Sequence, residues 1–143
     1  MESISGSIKM PRVGRILSGT AVLFLLFDSI IKVMVIDPVV QSMGELGYPV
    51  NLALTIGIVE LACIAVYLIP RTSVLGALLL TGFLGGAVAS QVRIGTPLFT
   101  HSLFPIYIGL LVWGGLYLRE ERLRELIPLR KQTDAAGRNA EYP

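Results

Sequence analysis

RILSGTAVLFLLFDSIIKVMVI, Arg15–Ile36, is the stretch whose reading decides the fold class. After Arg15 it is an apolar run interrupted by two charges, Asp28 and Lys32. A helix needs about 20 mostly apolar residues to cross the hydrocarbon core of a bilayer, and this run supplies them. Asp28 and Lys32 stand four residues apart, so on a helix they share a face and can neutralise each other. The run stops at Asp37-Pro38, because proline lacks the N–H that would continue the helix. A cleaved signal peptide fits poorly, since polar and charged residues follow the apolar stretch without an A-x-A-like site.

The rest of the chain follows the same pattern. Of 143 residues, 53% belong to the hydrophobic set, 15% are charged, and the mean hydropathy is +0.71. A soluble domain carries about 25% charged residues, and a fold this small leaves much of its surface exposed. The composition therefore excludes an ordinary soluble domain and excludes intrinsic disorder. The net charge of +2 gives no reason to expect nucleic acid as a partner. Of 22 charged residues, seven lie between Ile16 and Leu118: Asp28, Lys32, Asp37, Glu45, Glu60, Arg71 and Arg93. The remainder crowd into the two ends. No internal repeat is visible.

Hydropathy predicts an all-α, four-helix transmembrane bundle with short loops, its helices near 15–36, 49–69, 73–92 and 98–118. Pro49 suits a first helical turn, as does Pro105 if the fourth helix starts near Leu103. Thr72 or Ser73 is expected to cap the third helix. Residues 1–14 read as an N-terminal tail. Residues 119–143 read as a short interfacial helix, with Leu123, Leu126 and Ile127 on one face, followed by a disordered tail. The longest connection, Asp37 to Tyr48, is expected to cover the polar residues described next. Ten of the twelve Lys and Arg residues fall on one side of this arrangement, which predicts that both termini are cytoplasmic.

Charges within a membrane are expensive and therefore informative. Asp28, Lys32, Glu60 and Arg93 form a neutral set in or at the edge of the apolar segments. Gln91 and His101 lie nearby in the expected arrangement, and Tyr107 is the aromatic residue best placed to line a pocket with them. Glu60 has no cation three or four residues away, so any partner must come from another helix. These residues are the candidate ligand site, with Glu60, Asp28 and His101 as candidate proton carriers. A purely structural ion-pair network is the competing reading. Cys63 is the only cysteine, which excludes an intramolecular disulfide and a Cys-x-x-Cys redox pair. One histidine and one cysteine are too few for an ordinary zinc site, and two axial histidines for haem are lacking. The Gly82-x-x-x-Gly86 pair, with Gly85 and Ala89 close by, is expected to let helices pack closely within the bundle or, alternatively, between two copies. Gly114-Gly115 suits the same role.

The blocks ELGYP (Glu45–Pro49), YLIPRT (Tyr67–Thr72) and LTGFLGGAVA (Leu80–Ala89), with PLFTHSLFPIYIGLLVWGGLYLR (Pro97–Arg119), resemble the DoxX-like family of small bacterial four-helix membrane proteins. The resemblance spans roughly Gly14 to Pro128. It implies a multi-pass protein of the bacterial cytoplasmic membrane and a loose link to a thiosulfate:quinone oxidoreductase subunit. It also implies that Asp28, Lys32, Glu60, Arg93 and His101 match the family pattern. Gln91 departs from it, standing where relatives often carry histidine, and the chain lacks the paired cysteines of dithiol-carrying relatives. The leading expectation is a membrane protein that binds a small lipophilic ligand, such as a quinone, in a polar cavity of the outer half, as an accessory to a redox partner. Alternatives are a membrane enzyme doing acid–base chemistry on a lipophilic molecule, or an assembly partner, including a homo-oligomer, that uses the glycine-rich third helix.

Overall fold

The computed structural model describes residues 2–127, with side chains from Met10 onward except those of Leu98 and His101. Every regular element among them is helical: α1 (Glu2–Met34), α2 (Asp37–Glu45), α3 (Asn51–Leu68), α4 (Ser73–Arg93), a π turn (Leu98–Ser102), α5 (Phe104–Arg119) and α6 (Glu121–Leu126). Three helices are long and apolar enough to cross a membrane: Met10–Met34 within α1, α3 and α4. At 16 residues α5 is shorter. The helices pack in a ring, α1 against α3, α3 against α4, α4 against α5, and α5 back against α1.

The spanning helices are apolar on all sides, as expected of elements with lipid outside and protein inside. Inside the ring lie Ala21, Leu25, Ile64, Tyr67, Ala77, Leu80, Val112 and Leu116. Leu23, Phe27, Leu78 and Leu110 point outward and are more than half exposed. In water such a surface would drive aggregation; in a bilayer it is the lipid contact.

Close helix approach falls on Gly115, expected in this role, and on Gly14, Gly57 and Gly76, and not on the Gly82/Gly86 pair. A Cβ on Gly115 would collide with Ser18 and would lie 2.8 Å from the Gly14 carbonyl oxygen, so α1 and α5 touch through Gly14 and Gly115. Gly57 sets α3 against α1 at Ser29 and Lys32, and Gly76 sets α4 against the Tyr67 backbone. Where α1, α3 and α5 meet, Tyr67 donates to the Val112 carbonyl at 3.0 Å. With its proton used there, it accepts from Ser18 Oγ at 2.8 Å. Gly82 and Gly86 face open space, with no atom within 4 Å of a Cβ built on either. They do not pack helices within the ring.

Four further boundaries differ from expectation. First, α1 begins at Glu2, since extending an established helix gains one hydrogen bond per residue added. Second, the Asp37–Tyr48 connection contains α2, started by Pro38 in its first turn, with Val39 and Met43 buried one turn apart against Ala53 of α3. Third, Thr72 and Ser73 do not cap α4. Their hydroxyls turn back to the Val66 and Ile69 carbonyls at 2.8 and 3.0 Å, meeting acceptors left over at the end of α3. Fourth, in α6 Leu123 tucks into the main core while Leu126 and Ile127 stay exposed. The expected tail from Pro128 onward lies outside the described residues.

Candidate functional site

Sterics of α1 place the first pair. Asp28 and Lys32 stand one turn apart, and Lys32 Nζ donates to Asp28 Oδ2 at 2.5 Å. Gly57 brings α3 so close to α1 that its missing Cβ would sit 3.1 Å from Lys32 Cβ. Glu60, one turn further along α3, then meets the same ammonium: Lys32 Nζ lies 3.0 Å from Glu60 Oε2. Lys32 thus supplies the partner that Glu60 lacks within its own helix. The remaining side of the ammonium faces the Phe83 ring, 5.4 Å from its centroid, a favourable cation–π distance.

Burial is graded across this triad. The Glu60 side chain is 0% exposed, Lys32 17% and Asp28 32%. Glu60 Oε1 is buried and has no hydrogen-bond partner. The Ser29 hydroxyl, beside the same carboxylate, donates to the Leu25 carbonyl at 2.7 Å.

The triad forms part of the wall of a cavity of about 620 Å³, a size typical of small-molecule sites. Phe24, Phe83, Phe104 and Ile108 supply apolar surface, α2 covers one end through Val39 and Met43, and Gln91 and Tyr48 add polar groups. Gly82 and Gly86 line it as well. The space exists partly because α4 carries no side chain at those two positions. At the wall between α1 and α5 the Phe24 and Phe104 rings meet edge to face, 5.0 Å apart. Tyr48 and Ser90 share a 2.8 Å hydrogen bond, and Ser90 Oγ donates to the Gly86 carbonyl at 2.9 Å. Tyr48 is therefore the donor to Ser90, and both hydroxyl protons are used.

The structure brings together Asp28, Lys32, Glu60 and Gln91 from the expected set. It places Arg93 elsewhere. Arg93 is exposed at the end of α4, donates to the Leu46 carbonyl and stacks over Tyr48 at 5.6 Å. It ties the turn after α2 to α4, a partner that arises because the connection folds back over the cavity. Tyr107 is exposed and stands outside the wall. The side chain of His101 lies outside the described residues. Sequence reasoning missed α2 and the Gly82/Gly86 role in the cavity. The i,i+4 spacing of Val39 and Met43 behind Pro38 was the available signal for α2. Among the described residues no group of three or more His, Cys, Asp or Glu residues is arranged to hold a metal.

Residues 16–115 match the sequence profile of the DoxX-like family, which covers most of the chain, and the chain belongs to this family. No curated protein and no solved structure matches it.

Proposed function

We propose that this DoxX-like membrane protein binds a small lipophilic ligand in the cavity between α1, α3, α4 and the start of α5. The observation that carries the reading is the pairing of an apolar, aromatic-lined cavity of about 620 Å³ with a buried charged triad in its wall. An ion pair kept only for packing would be better enclosed by side chains; here α4 presents glycine at two positions facing the triad's cavity. In the membrane, α5 makes the fourth crossing and both termini face the cytoplasm, in accord with the distribution of Lys and Arg. Asp28 and Lys32 then lie in the outer half and Glu60 near the midplane. A quinone, the ligand that the family resemblance implies, would accept a hydrogen bond from the Gln91 amide, since Lys32 is already engaged by two carboxylates. An accessory role beside a redox partner follows from that ligand.

Gentle extraction and native mass spectrometry of the wild type and Gly86→Leu test the reading. A small lipophilic adduct is expected on the wild type and lost when leucine fills the cavity. Equal adducts on both proteins, or none on either together with no ligand-induced thermal shift, would overturn it.

A further inference from the structure

At the triad the wall of the cavity has more acceptors than donors free for a ligand. Lys32 commits its ammonium to Asp28 Oδ2 and Glu60 Oε2, with the Phe83 ring on the side that remains. Glu60 Oε1 is buried without a partner. Tyr48 and Ser90 have spent their protons on each other and on the Gly86 carbonyl. Arg93, the other cation of the expected set, is held at Leu46 and Tyr48. While both are ionised, two carboxylates against one ammonium leave one negative charge in excess, and an ionised carboxylate oxygen can only accept. Phe24, Phe83 and Phe104 line the same cavity. Their ring faces attract cations, most strongly where water is excluded.

We propose that the cavity selects a lipophilic amine in its ammonium form, its N–H donating to the carboxylate pair of Glu60 and Asp28 in the cavity wall and its apolar body lying against Phe24, Phe83 and Phe104. The proposal rests on the reading of the cavity as a ligand site and names the ligand's class. A quinone or other ketone offers only acceptors: it can take the Gln91 N–H, but it leaves the carboxylates without a donor. A protonated amine meets the unmet acceptor, balances the charge and suits the aromatic wall. One charge-assisted hydrogen bond at a buried site is enough to separate an amine from a neutral ligand of the same shape by about tenfold.

The test uses the full chain in lipid nanodiscs and three probes of similar shape: phenylbutylamine, phenylbutyltrimethylammonium, which has the charge without the N–H, and benzylacetone, a neutral ketone. Calorimetric titration is expected to rank phenylbutylamine about tenfold or more above benzylacetone, with the quaternary probe between them. Glu60→Gln is expected to abolish the preference, lowering the ratio of amine to ketone affinity by about tenfold. The comparison of probes on the wild type stands even if that variant fails to fold. Benzylacetone binding as tightly as the amine, or an amine affinity indifferent to Glu60→Gln, would overturn the proposal. If Gly86→Leu abolished binding of every probe in that case, the cavity would remain a ligand site of another specificity. Binding of no probe, or binding indifferent to Gly86→Leu, would sink both readings.

Discussion

Replacing Lys32 with methionine isolates what the triad contributes to the fold. Methionine keeps the length and apolar stem of the side chain and removes the ammonium alone. In the native protein that ammonium is the hydrogen-bond partner of Glu60 Oε2 at 3.0 Å, and the Glu60 side chain is 0% exposed. Removing one member of a buried ion pair leaves the other charge uncompensated and costs about 3–5 kcal/mol. Asp28 is 32% exposed at the cavity wall, and an i,i+4 pair that is only partly buried contributes about 0.3–0.5 kcal/mol. Lys32→Met should therefore destabilise by about 3 kcal/mol or more, while Asp28→Asn should cost less than about 1 kcal/mol because Lys32 keeps Glu60. Adding Glu60→Met to Lys32→Met should recover most of the loss, since removing both charges replaces a desolvated pair by apolar packing. Reversible unfolding in mixed micelles, followed by helix circular dichroism and by the single tryptophan, measures all four proteins. Trp113 donates to Thr81 Oγ1 at 2.8 Å and so reports on contact between α4 and α5. Lys32→Met within 1 kcal/mol of wild type, or Asp28→Asn as costly as Lys32→Met, would refute the graded-burial reasoning.

Other substitutions test other parts of the structure. Gly115→Ala places a methyl group against Ser18 and the Gly14 carbonyl and should cost about 1–3 kcal/mol by forcing α1 and α5 apart, measured by the same unfolding assay. Gly86→Ala and Gly82→Ala meet open space and should leave the fold intact or stabilise it by up to about 1 kcal/mol through helix propensity; marked destabilisation would show that these glycines pack helices after all. Tyr67→Phe strips the donor from the buried Val112 carbonyl and the acceptor from Ser18, and a loss of about 1–3 kcal/mol is expected. Arg93→Ala removes the tie between α4 and the turn after α2. Hydrogen exchange should rise in α2 and at Tyr48 while the cores of α3 and α4 keep their protection.

Much of the fold was legible because hydropathy is a local property. The runs ending at Asp37-Pro38 and Ile69-Pro70 mark the long helices directly, and the three helices long enough to span are Met10–Met34, Asn51–Leu68 and Ser73–Arg93. The Asp28–Lys32 pair was legible for the same reason, since four residues along one helix fix their proximity. Glu60 announced a need for a partner without announcing which. Thr72 looked like a cap for the helix that follows it, yet its hydroxyl serves the helix before it, a choice made by the geometry of a tight turn. The GxxxG pattern of α4 looked like a packing face, and the structure uses it as an opening.

What the amino-acid sequence determined by itself was therefore the solvent this chain requires, the extent of its long helices and the few polar groups carried into the apolar layer. Only the tertiary structure decided which glycines bring helices together, that Lys32 answers Glu60 while Arg93 is drawn away to Leu46, and that a cavity stands beside them. The reason is physical. Helices that are apolar all round have no sequence-encoded inner face, so their rotation about their own axes, and with it the meeting of Lys32 with Glu60, is settled by close packing at Gly14, Gly57, Gly76 and Gly115.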